Sequence, residues 1–258
     1  MKKYNLILLA GGEQQPLFEV TGVLNKSQIS IHGNPMIGWV LDAFRSCGKI
    51  ADIVVAGPHE LEELPCMQGV RKRVHGGGSV LESLVNSVGY VKARLSNDES
   101  EVHRGYLISF GDAVFLNEEV IREMMDNIES SNADIVLHYV EKETFARAGL
   151  SVKRTFIPMG DGHYTGTTIY YVRRFRDLAG CIVQLARLRK YRKQPGKLLE
   201  VLGCTGMNMS EIENQLSKAL SVKLRIFPID RPEAGMDVDK PVDLELAREW
   251  LAPEGSKK

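Results

Sequence analysis

An aspartate follows a strongly apolar run near the middle of the chain. The run LISFGDAVFL, residues 107–116, predicts a buried strand that ends at Gly111 and Asp112. A carboxylate beside a buried sheet costs free energy unless it is paired or binds a metal ion. At the carboxyl end of a strand, where open α/β sheets bind their ligands, it could hold Mg²⁺ together with water and substrate phosphates. An Asx-turn, or a cap near Asn117, is the alternative interpretation.

Two glycine-containing loops could bind an anion or the edge of a base. Gly11 and Gly12 directly follow the predicted first strand, where adjacent glycines let backbone N–H groups approach a phosphate. In VHGGGSVLESL, residues 74–84, three glycines precede Ser79, which can cap the next helix. An ordinary turn explains each loop equally well. Neither loop is a GxGxxG or Walker motif, which disfavours a standard dinucleotide-binding or P-loop fold.

A second acidic residue would complete a cation site with Asp112. The segment GMDVDKPVDLELAREWL, residues 235–251, offers Asp237 and Asp239 at alternating positions. In an extended segment these two side chains point to opposite faces, so only one of them can share a site with Asp112. The loops and the acids together predict a phosphate-rich ligand and a cation at one edge of a parallel sheet.

The elements that must position these residues alternate between strands and helices. We predict strands at 5–10, 52–57, 105–110 and 134–140, and helices at 36–47, 79–94, 118–130 and 241–251. Nearly continuous apolar strands in this order indicate a mostly parallel sheet covered on both faces. Further strands at 152–157, 164–172 and 222–228, with helices at about 176–202 and 210–220, extend that sheet with mixed direction. We expect one domain over 1–252 and a short polar tail over 253–258.

The composition argues against a dominant affinity for nucleic acid. The 258 residues carry 33 basic and 33 acidic side chains, so the net charge is zero. The four cysteines form no CxxC pair, which disfavours a zinc site or a disulfide framework and predicts a reducing, cytoplasmic location. No segment approaches the roughly 20 apolar residues of a membrane span.

Positive charge is concentrated between residues 173 and 197. A solvated helix face is one interpretation of this segment. A basic groove for a phosphorylated acceptor or an anionic lipid headgroup is the other. Aromatic residues are too sparse in the segment to favour a role in binding nucleic acid.

Six segments in a fixed order carry a resemblance to a known family. They are LILLAGG, NKSQISIHGNPMIGWVLDAF, GGGSVLESL, ISFGDAVFLNEEVI, YTGTTIYYV and GMDVDKPVDLELARE. The chain resembles the MobA-like nucleotidyltransferases, an NTP-transferase group, over nearly its whole length. The block NKSQISIHGNPMI is similar to that family's PKxLxxIxGxPMI. The resemblance implies a single-domain GT-A or Rossmann-like three-layer α/β sandwich with a mostly parallel central sheet.

The resemblance also implies roles for individual residues. Lys26 would contact phosphates, and Asp112 and Asp239 would bind Mg²⁺. Thr165 and Gly166 would border the second substrate. The nucleotide-binding residues would be Ala10, Gly11, Gly12, Lys26, Gly77, Gly78 and Ser79. The implied reaction is in-line attack by a phosphate or hydroxyl of a small-molecule acceptor on the α-phosphorus of an NTP, with release of pyrophosphate. Positioning and electrostatics would supply the catalysis.

The sequence departs from the family pattern around the implied site. The opening loop is AGGEQQPLFEV instead of AGGxGxRM, and no arginine precedes Lys26. Asn25 stands where the family has a proline, and Gln28 stands where it has a leucine. Two alternatives therefore stay open, a glycosyltransferase-type enzyme that uses an NDP-sugar and a non-catalytic nucleotide-binding protein. The sequence leaves the base, the acceptor and formation of a homo-oligomer open.

Overall fold

The computed structural model describes residues 3–11, 15–94, 105–152, 154–174, 191 and 194–253. The chain divides into two compact units. The first unit is formed by Met1–Arg122 together with Met236–Lys258, and the second unit is Glu123–Gly235. The first unit is therefore discontinuous in sequence, with the second inserted between its two segments.

The strands and helices of the described residues are as follows. The strands are β1 Tyr4–Leu9, β2 Ser30–Ile31, β3 Asn34–Pro35, β4 Ile50–Gly57, β5 Lys72–His75, β6 Tyr106–Phe110, β7 Ile135–Glu141, β8 Ile157–Met159, β9 Gly162–Gly166, β10 Tyr170–Val172 and β11 Leu224–Pro228. The α-helices are α1 Gln15–Thr21, α2 Met36–Ser46, α3 Val80–Arg94, α4 Glu118–Ser131, α5 Lys142–Arg147, α6 Pro195–Leu202, α7 Met209–Leu220 and α8 Pro241–Trp250. A 3₁₀ turn, Lys26–Gln28, precedes β2.

The first unit is built on four parallel strands in the order β5-β4-β1-β6. All six residues of β1 are buried, as expected for a strand whose two faces are both covered. The register pairs Leu9 with Ala56 of β4 and with Phe110 of β6, so these strands end at the same edge. The helix α2 buries one apolar side, formed by Met36, Ile37, Val40, Leu41 and Phe44.

The second unit is organised around β7. This strand pairs antiparallel with β10 and β9, and parallel with β11, while β8 pairs antiparallel with β9. The helix α7 begins with a reciprocal cap, because the Asn208 side chain accepts from the Glu211 N–H and the Glu211 carboxylate accepts from the Asn208 N–H. Its inner face contributes Ile212 to a small core with Leu199 and Cys204.

The mixed α/β class and the mostly parallel central sheet are confirmed. The predicted strands at 5–10, 52–57, 105–110 and 134–140 and the four helices predicted with them lie within two residues of the observed bounds. The Asn117 side chain caps α4 by accepting from the Val120 N–H at 3.0 Å. No described helix has both the length and the apolar character needed to cross a membrane. The single domain over 1–252 stays a prediction.

The predictions for the second half of the chain need correction. The strand predicted at 152–157 is observed as Ile157–Met159, and the strand predicted at 164–172 is interrupted between β9 and β10. Tyr171 is five positions after Gly166, whereas their partners on β7, Val136 and Tyr139, are three positions apart, so the two extra residues bulge out of the ladder. The Thr168 N–H consequently donates to the Ala234 carbonyl instead of a neighbouring strand.

Three other predictions lie partly outside the described residues. Of the basic segment 173–197 and the helix predicted at 176–202, residues 175–190 and 192–193 lie outside the described residues, and the described remainder ends in α6. Residues 254–258 of the predicted tail also lie outside the described part of the chain.

Candidate functional site

Three glycines pack backbone to backbone where three parallel strands end. Gly11 follows β1, Gly57 ends β4 and Gly76 follows β5. The Gly76 N–H donates to the Gly57 carbonyl at 3.1 Å. A Cβ atom at Gly76 would lie 2.9 Å from Gly57 Cα and 3.3 Å from Gly11 Cα. Any larger residue would therefore push apart the two glycine loops at the carboxyl edge of the sheet.

Gly76→Ala is expected to lower the free energy of unfolding by about 1–3 kcal/mol, because the added methyl group would meet backbone atoms that cannot rotate away. Gly89 in α3 is the matched control, since an added Cβ there meets no atom within 4 Å among the described residues. Gly89→Ala should raise the free energy of unfolding by about 0.5–1 kcal/mol. Urea denaturation measures both changes. A Gly76→Ala protein as stable as wild type would contradict this packing.

The amides of the second glycine loop already have partners inside the chain. The Gly77 N–H donates to Ser83 Oγ at 3.2 Å, and the Gly78 N–H donates to Glu82 Oε2 at 3.0 Å. Ser79 Oγ accepts from the Glu82 N–H at 3.2 Å and so caps α3. A contact of this loop with a nucleotide base stays a prediction. An incoming phosphate at Gly78 would have to replace the Glu82 carboxylate.

Asn25 connects the opening loop to the turn that carries Lys26. Its side chain is buried, Nδ2 donates to the Ala10 carbonyl at 2.8 Å, and Oδ1 accepts from the Ser27 N–H at 2.9 Å. One amide thus fixes both the end of β1 and the start of the 3₁₀ turn. The sequence identified Asn25 only as a replacement for a proline. An asparagine two residues before a serine is consistent with an Asx-type cap, although nothing local indicates the bond to Ala10.

Gly111 permits close packing directly before Asp112. A Cβ atom at this position would lie 2.6 Å from Ser27 Oγ and 3.0 Å from the Ala10 Cβ. The Gly111 N–H donates to the Leu9 carbonyl at 2.9 Å, which ties the end of β6 to the end of β1. The chain therefore brings Ala10, Ser27 and Asp112 to one point at the edge of the sheet.

Lys26 lies between two of the predicted acidic ligands. Its ammonium forms an ion pair with Asp112 and lies 2.5 Å from Asp239 Oδ1. Asp112 is buried and the Lys26 side chain is only 12% exposed, whereas the Asp239 side chain is half exposed. Burial alone would lower the pKa of Lys26, but the charges and hydrogen bonds of Asp112 and Asp239 together outweigh it, so the pKa lies above its usual value. The lysine is charged at any physiological pH.

Asp239 is oriented by backbone contacts from both sides. Its N–H donates to Asp243 Oδ2 at 3.1 Å, and the Lys240 N–H donates to the same oxygen at 2.8 Å. The Val238 N–H donates to the Asp112 carbonyl at 3.1 Å. These bonds bring the segment before α8 against the end of β6. Of the two candidates Asp237 and Asp239, the structure places Asp239 on Lys26.

The two carboxylates fit a hard divalent cation. Asp112 is 7% exposed, and its Oδ1 atom has no hydrogen-bond partner among the described residues. A buried carboxylate oxygen without a donor favours a cation as its partner. The described residues contain no group of three or more His, Cys, Asp or Glu that could hold a metal ion. Mg²⁺ does not need such a group, because it commonly takes one or two carboxylates and completes its shell with phosphates and water.

Three predicted site residues remain, namely Gly12, Thr165 and Gly166. Gly12 lies outside the described residues. Thr165 and Gly166 belong to β9 of the second unit, where they pair with Val140 and Tyr139 of β7. Thr165 is buried and Gly166 is exposed. Their role toward an acceptor stays a prediction.

Glycine loops, a lysine and two carboxylates at the carboxyl edge of a parallel sheet are an arrangement typical of α/β enzymes that bind phosphates. The MobA-like NTP transferase domain matches residues 6–198, and the chain belongs to this family. The chain is therefore a transferase. No curated protein matches the sequence.

Three solved structures share this fold. A hypothetical transferase from Thermus thermophilus is 25% identical, with a TM-score of 0.74 and coverage of 94% of this chain and 99% of that chain. A 4-diphosphocytidyl-2C-methyl-D-erythritol synthase from Anaerococcus prevotii is 13% identical, with a TM-score of 0.62 and coverage of 98% and 99%. A CMP:2-keto-3-deoxy-manno-octonic acid synthetase in complex with CTP is 16% identical, with a TM-score of 0.58 and coverage of 96% and 97%.

Proposed function

We propose that the chain transfers a nucleotidyl group from an NTP to a phosphate or hydroxyl group of a small-molecule acceptor. The observation that carries this proposal is the Lys26 ammonium between the carboxylates of Asp112 and Asp239 at the carboxyl edge of the parallel sheet. Membership of the MobA-like NTP transferase family supports the same reaction class. A cation and a lysine are the groups that phosphoryl chemistry needs for electrostatic stabilisation.

The protein's contribution to such a reaction is positioning and charge. An acceptor oxygen forms a bond to the α-phosphorus while the bond from that phosphorus to the bridging oxygen of pyrophosphate breaks. Lys26 would offset negative charge on the phosphates, and the glycine edge formed by Gly11, Gly57 and Gly76 would let the nucleotide approach the backbone. Asn25 would hold the loop and the lysine in register through its bonds to Ala10 and Ser27. No side-chain nucleophile is required.

Asp112 and Asp239 would hold Mg²⁺, which when bound offsets the charge of the triphosphate. Ala10, Gly11, Gly12, Gly77, Gly78 and Ser79 would line the nucleotide, and Thr165 and Gly166 would border the acceptor. Two of the solved neighbours are described as a diphosphocytidyl synthase and a synthetase bound to CTP. CTP is therefore the first nucleotide to test.

A melting-temperature panel tests the proposal. The wild-type protein is measured with CTP, GTP, ATP and UTP, each with and without Mg²⁺, and pyrophosphate release is followed with pooled phosphorylated and hydroxylated acceptors. One NTP should stabilise the fold only with the metal, by roughly 2.7 kcal/mol at about 100 times its dissociation constant. Stabilisation by NDP-sugars instead of NTPs would indicate the glycosyltransferase alternative. Binding of an NTP without release of pyrophosphate would indicate a non-catalytic binding protein.

A further inference from the structure

The three N–H donors of the Lys26 ammonium all have acceptors within the site. They are Asp112 Oδ2, Asp239 Oδ1 at 2.5 Å and the Val238 carbonyl at 3.4 Å. A lysine ammonium has three donors and no acceptor. In this state Lys26 therefore has no donor left for a phosphate. Its proposed contact with the nucleotide requires it to give up at least one bond to the two carboxylates of Asp112 and Asp239, here called the acid pair.

A divalent cation at the acid pair would compete with that ammonium. The cation would need oxygens of the same two carboxylates. The ammonium and the metal would then lie close together, and their like charges would repel strongly. The two carboxylates carry two negative charges, of which Lys26 already neutralises one. A bare cation would therefore displace the ammonium without giving it a new anionic partner.

We propose that Lys26 makes the acid pair selective for a metal–triphosphate complex over a free divalent cation. This inference rests on the proposed function, because it takes Asp112 and Asp239 as the metal ligands. A metal–triphosphate complex supplies phosphate oxygens that accept the ammonium as it leaves the carboxylates. The exchange replaces one anionic partner by another, so the charge of Lys26 stays compensated.

The movement needed for this exchange is confined to one side chain. The lysine stem is flexible along its four carbons. Its backbone is fixed by the turn that Asn25 and Ser27 hold against Ala10. Asp112 keeps its place through the bond from the Val238 N–H to its carbonyl. Lys26 can therefore exchange partners while the two carboxylates stay where the cation needs them.

Binding of Mn²⁺ without nucleotide, followed by electron paramagnetic resonance, tests the inference without any readout of turnover. Lys26→Gln removes the competing charge and should bind free Mn²⁺ at least about tenfold more tightly than wild type. Lys26→Arg keeps the charge and should bind no more tightly than wild type. The double variant Lys26→Gln with Asp112→Asn should lose the gain. Equal affinity in Lys26→Gln and wild type would overturn the inference.

Wild-type melting provides a second measurement that does not depend on the folding of a variant. At one free Mn²⁺ concentration, Mn²⁺ alone should leave the melting temperature unchanged, and Mn²⁺ with CTP or whichever NTP binds should raise it. If Mn²⁺ alone raises the melting temperature of the wild type equally, and this rise is absent in Asp112→Asn, the proposed selectivity is overturned but the acid pair remains the metal site. No response to metal with or without nucleotide overturns both the inference and the proposed function.

Discussion

Asp112→Asn is expected to lower nucleotidyl transfer by at least about 100-fold and to remove the metal-dependent part of nucleotide binding. The substitution keeps the size of the side chain but deletes the buried charge that pairs with Lys26. The Oδ1 atom has no partner among the described residues and would face the cation. In asparagine that position holds either an NH₂ group or an uncharged amide oxygen, which binds a cation less strongly than a carboxylate oxygen does. Steady-state pyrophosphate release and metal-dependent melting shifts measure the two effects.

Asp134→Asn is the matched control for this substitution. Asp134 in the second unit forms an ion pair with Arg174 at 3.0 Å and accepts from the Lys223 N–H at 3.0 Å, so its loss also removes an ion pair and a hydrogen bond. We expect this variant to keep its turnover even where its stability falls. If Asp112→Asn retains more than about a tenth of wild-type turnover, the role given to the carboxylate at the site is wrong.

Acidification is expected to cost the protein about 2 kcal/mol of stability between about pH 7.5 and pH 5 through His138 alone. His138 is buried in β7, with the Phe227 ring of β11 at a centroid distance of 6.1 Å. Burial is the main cause that lowers its pKa from 6.5 to about 4, and a weaker contact with the Met124 backbone offsets only part of this effect. In the unfolded chain His138 therefore takes up a proton below about pH 6.5, whereas in the folded chain the His138 imidazole stays neutral until about pH 4.

The sign of this pH dependence follows from that difference. The stability is fully present above the unfolded pKa and is lost as the pH falls toward the folded pKa. Urea denaturation of wild type and His138→Leu at several pH values separates this loss from that of other groups, since leucine removes the titration. His163→Gln, at an exposed position, is the control for the removal of a histidine side chain. A wild-type slope equal to that of His138→Leu would show that His138 does not contribute.

The parallel half of the fold could be predicted because its strands and helices have strong local patterns. The edge strand Lys72–His75 was not predicted, since charged residues such as Lys72 and Arg73 are common on the outer strand of a sheet but hide the apolar pattern. The interruption between β9 and β10 was also missed. Its residues read as one β-branched and aromatic run, and only the register against β7 shows the bulge.

Three residues singled out from the sequence, Lys26, Asp112 and Asp239, lie together in the structure, and their roles stay predictions. The order of motifs implied Lys26, Asp112 and Asp239, and the spacing of Asp237 and Asp239 predicted that only one of them faces the site. Lys26 and Asp239 are 213 positions apart, and no local pattern reports that the ammonium lies between the two carboxylates. The Asn25 bond to the Ala10 carbonyl joins two separate elements and depends on tertiary structure. The Asp243 bonds to the Asp239 and Lys240 N–H groups are instead a local cap at the start of α8.

The discontinuous first unit sets an order for synthesis on the ribosome. Lys26 and Asp112 are translated before the 113 residues of the second unit, Glu123–Gly235, and Asp239 is translated after them. At about 5–20 residues per second this separates the synthesis of Asp112 and Asp239 by roughly 6–25 seconds. During that interval Lys26 can pair with Asp112 alone. The nascent protein therefore acquires its second carboxylate only when translation has reached α8, so a ribosome that stalls within the second unit leaves a chain without a complete acid pair.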